Sequence, residues 1–84
     1  MREITLDCGQ ITDAAQLHQA LFTALSLPDW YGHNLDALLD CLTELEEETH
    51  LILKNWDTHA SYSKGFESVF TDAADDDFFQ YTLA

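Results

Sequence analysis

Leu27-Pro28-Asp29-Trp30-Tyr31-Gly32-His33-Asn34-Leu35-Asp36-Ala37-Leu38-Leu39-Asp40-Cys41-Leu42-Thr43 is the stretch that organises this 84-residue chain. Pro28 ends whatever helix precedes it, because the residue before a proline is pushed out of the α region. Gly32 permits a sharp turn, and Asn34 is a good N-cap for a helix expected to run to about Glu47. Leu35, Leu38, Leu42 and Leu45 recur at three- and four-residue steps and predict its buried stripe. Asp36, Asp40, Thr43, Glu44 and Glu47 recur at the same steps on a nearly opposite face.

Upstream, Asp13 reads as an N-cap with Gln16 completing a capping-box pattern. Leu17, Leu21, Ala24 and Leu25 then predict one buried face of a helix that stops at Pro28. Arg2 to Asp7 reads as a strand, with Ile4 and Leu6 apolar and a turn at Cys8-Gly9-Gln10. Downstream, His50 to Trp56 reads as a buried strand. A third helix around Phe66 to Ala74 buries Phe66, Val69 and Phe70, and Phe78 to Leu83 closes the chain as a strand. The order β-α-α-β-α-β predicts an α/β fold. Strands separated by helices need crossover connections, so the sheet is a small three-stranded parallel one packed with helices, with right-handed crossovers. No repeat, linker or low-complexity stretch divides the sequence, so residues 1–84 are expected to form a single domain.

Three Lys+Arg against 16 Asp+Glu give a formal charge of −13. Such a surface repels nucleic-acid phosphates and anionic membranes alike, so neither is an expected partner. With 46% hydrophobic residues and 12% aromatics, the chain can nevertheless build a packed core. Cys8 and Cys41 do not make a disulfide framework; they read as two reduced thiols, with a single bridge as the alternative. No apolar run approaches the roughly 18 residues of a membrane span, and Met1-Arg2-Glu3-Ile4 opens no secretory signal, so the cytoplasm is the expected compartment.

No Lys or Arg lies between Glu3 and Leu53 to relieve the acidic face of the second helix. Like charges at i, i+4 cost about 0.2–0.5 kcal/mol a pair. The face is therefore either a solvated surface on an acidic protein or a docking surface for a cationic partner. Trp30 and Tyr31 favour docking as aromatic anchors ahead of that helix, although Tyr31 serves equally well as a core plug. Catalysis is not expected: Cys41 beside Asp40 is a poor thiolate, and the four His read mostly as solvent or interface residues. Asp75-Asp76-Asp77 lacks the alternating ligands and Gly of a calcium loop and reads as a solvated turn, so neither metal nor cofactor is expected. An acyl-carrier role is excluded because Asn34-Leu35-Asp36 stands where an Asp-Ser-Leu attachment site would open the helix.

The stretch Leu27-Pro28-x-x-Tyr31-Gly32-x-Asn34-Leu35-Asp36-Ala37-Leu38-x-Asp40-Cys41-Leu42-Thr43 resembles, without a gap, the signature of the barstar family, intracellular inhibitors of small basic ribonucleases related to barnase. Weaker similarity extends through Leu17-His18-Gln19 and Glu67-Ser68-Val69. The resemblance implies a non-enzymatic inhibitor whose acidic helix and preceding loop plug a nuclease active site and imitate RNA phosphates. Asp40 looks like the residue that enters the phosphate site, Asp36 its companion, Trp30 the replacement for a stacking Tyr, and Thr43 a supporting contact. Asn34, Leu39 and Glu44 complete the expected partner-facing surface, and Asp72 falls on the family's last acidic contact when Phe70 is aligned with the family's Phe. The partner implied is a small basic ribonuclease, barnase-like or a toxin domain, with the chain as its immunity protein. The alternative is an acidic adaptor that keeps the fold and binds another basic protein. The sequence departs from the family at Leu39, an aromatic elsewhere, at Glu44-Leu45, elsewhere Gly-Trp, and at His33, where an acid is common.

Overall fold

A computed structural model describes residues 2–75 and 78–84. The elements are β1 (Arg2–Asp7), α1 (Ala14–Leu25), α2 (Leu35–Thr43), β2 (Thr49–Lys54), α3 (Ser63–Ala73) and β3 (Phe79–Leu83). This is the predicted β-α-α-β-α-β order. β2 is the middle strand, pairing in parallel with β1 from Arg2↔Thr49 to Asp7↔Lys54 and with β3 from Thr49↔Phe79 to Leu53↔Leu83.

All three helices share one face of the sheet. Leu51, Leu53 and Phe79 point into one cluster with Leu17 and Leu21 of α1, Leu38 and Leu42 of α2, and Phe66 and Phe70 of α3. Alternation along the strands puts Glu3, Thr5, Gln80 and Thr82 on the other face, in solvent. Parallel sheets are usually covered on both sides. Here the polar face makes its own link, His50 Nε2 to Thr82 Oγ1 at 2.7 Å.

Several boundaries differ from the sequence reading for local reasons. The second helix ends at Thr43, not near Glu47. Carboxylates crowd its C-terminal end, where the helix dipole disfavours them, and the Thr43 hydroxyl donates to the Asp40 carbonyl at 3.1 Å. Glu47 therefore leaves the helical acidic face and Leu45 leaves the helical stripe. α1 stops at Leu25, short of Pro28, because Ser26 turns left-handed (φ 53°) and caps it through Phe22 O. At the other end Asp13 caps as predicted, but the Gln16 Oε1 accepts from Thr12 N at 2.8 Å and not from Asp13. β2 ends at Lys54 because Asn55 turns left-handed (φ 58°) and donates through Nδ2 to Asp7 Oδ1 at 3.0 Å. α3 starts at Ser63, three residues before Phe66, with Ser63 Oγ donating to the Asp57 carbonyl. Of the Asp75-Asp76-Asp77 run, Asp76 and Asp77 lie outside the described residues.

Candidate functional site

The loop from Ser26 to Asn34 is built around an aromatic anchor. A hydrogen bond from Tyr31 N to Pro28 O, 3.0 Å, closes a turn with Trp30 near its tip. The two aromatics then part company. Trp30 is 58% exposed, whereas Tyr31 is 4% exposed and belongs to the core, which settles the open reading of Tyr31. The Tyr31 ring stacks on Phe22 with centroids 6.2 Å apart and lies 4.9 Å from His33, and its hydroxyl hydrogen-bonds His18 Nδ1.

His18 is the exception to the expectation that the histidines are mostly solvent or interface residues. It is buried, with its ring 4.7 Å from Phe66. The signal was present in the sequence: His18, Leu21 and Leu25 lie on one helical arc, and all three are buried. Burial first, and then the neighbouring His33, hold the His18 imidazole below its usual pKa. Burial likewise pushes the Tyr31 phenol well above its ordinary range, with Cys41 adding to the shift.

Past Tyr31 the chain turns sharply into α2. The left-handed residue is His33 (φ 54°) and not Gly32; no glycine among the described residues has positive φ. Gly32 is needed for space. A Cβ there would lie 2.8 Å from Asn34 Nδ2, the atom that donates to Gly32 O at 3.3 Å. The other end of that amide, Oδ1, accepts from Ala37 N at 2.8 Å and caps α2. Asn34, expected to face a partner, thus has both ends of its side chain engaged within the loop.

α2 presents Asp36, Asp40 and Thr43 on its exposed side and buries Leu38, Cys41 and Leu42. Asp36 and Asp40 stand about 6 Å apart along the axis, one turn. Among the described residues neither carboxylate has a hydrogen-bond donor or a cation of this chain. Leu39 is half-buried against the core, and Glu44 is the exposed C-cap. Trp30 and Asn34 thus lie on the loop before α2, Asp36, Leu39, Asp40 and Thr43 on α2, and Glu44 at its C-cap. Asp72 is placed apart, exposed in the last turn of α3, the helix that packs on α2. Burial raises the Cys41 thiol, and Glu44 and Asp40 raise it further, the reverse of what a nucleophile needs. Cys8 is likewise free, buried, and pushed up to about 11 by burial and Asp7.

Sequence reasoning did not foresee a cleft of about 450 Å³ beside the acidic face. Its lining includes the buried Leu25, Leu27 and Cys41, the half-buried Leu45 and the exposed Pro28 and Trp30. No periodicity signals it, because its sides come from the α1–α2 loop and from the segment after α2.

A family model described as "Barstar (barnase inhibitor)" matches residues 1–82 of the chain. A Bacillus subtilis (strain 168) protein named "Putative ribonuclease inhibitor YrdF" is 43% identical over 58 residues, 68% of this chain and 64% of that protein. The chain thus spans just under two thirds of that relative's length.

Proposed function

The chain belongs to the barstar family, and from that premise we propose that it is a non-enzymatic inhibitor of a small basic ribonuclease, blocking the active site with α2 and the loop before it. The observation that carries this reading is the pair of exposed carboxylates, Asp36 and Asp40, without a partner among the described residues, on a helix whose N-terminus is capped. A nuclease site is a cationic cleft shaped for phosphates. Two carboxylates one turn apart fit such a site as hydrogen-bond acceptors and offer no bond to cleave. Asp40 enters the phosphate site, Asp36 meets further basic groups beside it, and Trp30 stacks on the enzyme surface. Thr43, Leu39 and Glu44 border the contact; Asp72 joins it only where the enzyme extends over α3. Because the loop and cap are preorganised, little ordering entropy is lost on binding. The −13 charge of the chain speeds encounter with a basic enzyme, most at low salt. In the cytoplasm such a protein protects its host, as an immunity protein does against a toxin nuclease.

The test is stoichiometric inhibition of RNA cleavage by a basic ribonuclease purified from the source cell. Asp40→Ala removes a charge-assisted contact of the kind that contributes about 1.5–3 kcal/mol, so inhibition weakens roughly tenfold to a hundredfold, through faster dissociation. Asp36→Ala follows with a smaller loss. Undiminished inhibition by Asp40→Ala refutes the proposal, and capture of a basic non-nuclease through the same face supports the adaptor alternative instead.

A further inference from the structure

The cleft beside the acidic face is bordered by Trp30, Glu44 and Leu45, three of the positions at which this chain departs from the family signature. We infer that it is a receptor for one arginine side chain of the partner, separate from the phosphate-mimicking contact of Asp36 and Asp40.

Its walls and its charge both select that occupant. Leu27, Pro28 and Leu45 line it with apolar surface that suits an aliphatic stem, and the exposed Trp30, which lines it too, carries an indole π-system that attracts cations. Three exposed acidic residues, Glu44, Glu46 and Glu47, line the same space. One cation already lines it: Arg2, which donates from Nε and Nη2 to Thr49 Oγ1 at 3.3 and 3.2 Å. Three negative charges against one leave a net demand for a cation. A guanidinium meets it better than an ammonium, because it stacks on indole and bridges carboxylates through a planar fork. A neutral apolar side chain would fill the channel but leave the carboxylates without a counter-charge. The inference rests on the inhibitor reading, since a basic partner supplies the arginine, and it gives that partner a specificity contact away from the catalytic centre.

The test needs no nuclease. The ¹⁵N-labelled full chain is titrated with N-acetyl-L-arginine amide and with its neutral isostere N-acetyl-L-citrulline amide, following backbone amides and the Trp indole signals. Saturable shifts at Leu27, Leu45 and the Trp30 indole are expected with the arginine compound, and binding roughly fivefold or more weaker with citrulline. Leu45→Trp fills the channel and abolishes the arginine response. Should that variant unfold, the doubly neutralised Glu44→Gln/Glu47→Gln, altered only at exposed positions, must show the loss. Equal responses to the two compounds, shifts confined to Asp36 and Asp40, or full binding by the neutralised variant overturn the inference. Such a failure leaves the Asp40→Ala inhibition assay untouched. Arginine binding in a chain that inhibits no ribonuclease would unseat the inhibitor reading alone.

Discussion

Tyr31→Phe isolates the anchor beneath the binding loop. The phenylalanine keeps the ring that stacks on Phe22 and lies tilted against His33, and removes only the hydroxyl that meets His18 Nδ1. In the native protein no buried side-chain nitrogen or oxygen among the described residues lacks a partner, so the substitution creates the first orphan. His18 is 5% exposed and Tyr31 4%, and water does not readily replace the lost group. An unsatisfied buried donor or acceptor costs about 1–3 kcal/mol. For a domain of this size each kcal/mol lowers Tm by about 4–8 °C, so Tm should fall by roughly 4–24 °C. Thermal unfolding followed by circular dichroism at pH 7.5 measures it. His18→Leu alone should cost a similar amount, by orphaning the Tyr31 hydroxyl. The double variant His18→Leu/Tyr31→Phe removes both polar groups and should be more stable than the two losses summed, by about 0.5 kcal/mol or more. Additivity within that margin, or a Tyr31→Phe variant as stable as the parent, would refute the claim that this hydrogen bond fixes the loop.

Because the pKa of His18 is lowered in the fold, the unfolded chain binds the extra proton first. Its contribution is complete above the ordinary value near 6.5 and is lost as pH falls toward the lowered one, so the stability advantage of the parent over His18→Gln should shrink between pH 7.5 and pH 5.5 in paired thermal scans. Cys8 has the opposite sign: raised to about 11, it stabilises below its ordinary range and loses that contribution as pH climbs toward 11, a decline absent from Cys8→Ala. Asn34→Ala removes the α2 cap and should cost about 0.5–2 kcal/mol in urea unfolding, whereas Asn34→Ser keeps most of it; equal losses would contradict a capping role. Raising salt from 0.05 to 0.5 M should slow association with the nuclease while Tm holds or rises, since screening acts on partner attraction and on self-repulsion alike.

The six elements were legible because their periodicities are simple. Ile4 and Leu6 alternate along β1, and Leu17, Leu21 and Leu25 repeat along α1. The bounds of β1 and the caps Asp13 and Asn34 were legible too, but the ends of α1 and β2 were not, since left-handed turns at Ser26 and Asn55 decide them and neither is a glycine. Gly32 was rightly marked as a turn residue but for the wrong reason: its missing Cβ makes room for the Asn34 amide. In the site, Asp36, Asp40 and Thr43 could be placed on one face from spacing alone. Tyr31 and His18 could not be assigned a partner, because the pair joins α1 to a loop 13 residues later and no sequence period encodes that contact. The cleft was invisible for the same reason.

Stability and binding draw on different sides of the same short segment. Tyr31 faces inward, and Gly32 and Asn34, though exposed, are engaged within the loop; together they make it rigid through a buried hydroxyl, a missing Cβ and a doubly engaged amide. Trp30, Asp36 and Asp40 face outward and make no contribution to the core. Gly65 allows the close approach from behind, since a Cβ there would meet Leu35 Cδ1 at 2.8 Å, so the first turn of α2 is clamped between its cap and α3. A helix of nine residues is too short to hold its shape alone. The carboxylates repel one another with no cation beside them among the described residues, so the cap and the α3 contact must supply the order that α2 lacks. The structure thus separates the residues that hold the acidic helix from those that use it, and variants at Tyr31 or Asn34 should lose inhibition only in proportion to lost folding, whereas variants at Asp40 should lose it with the fold intact.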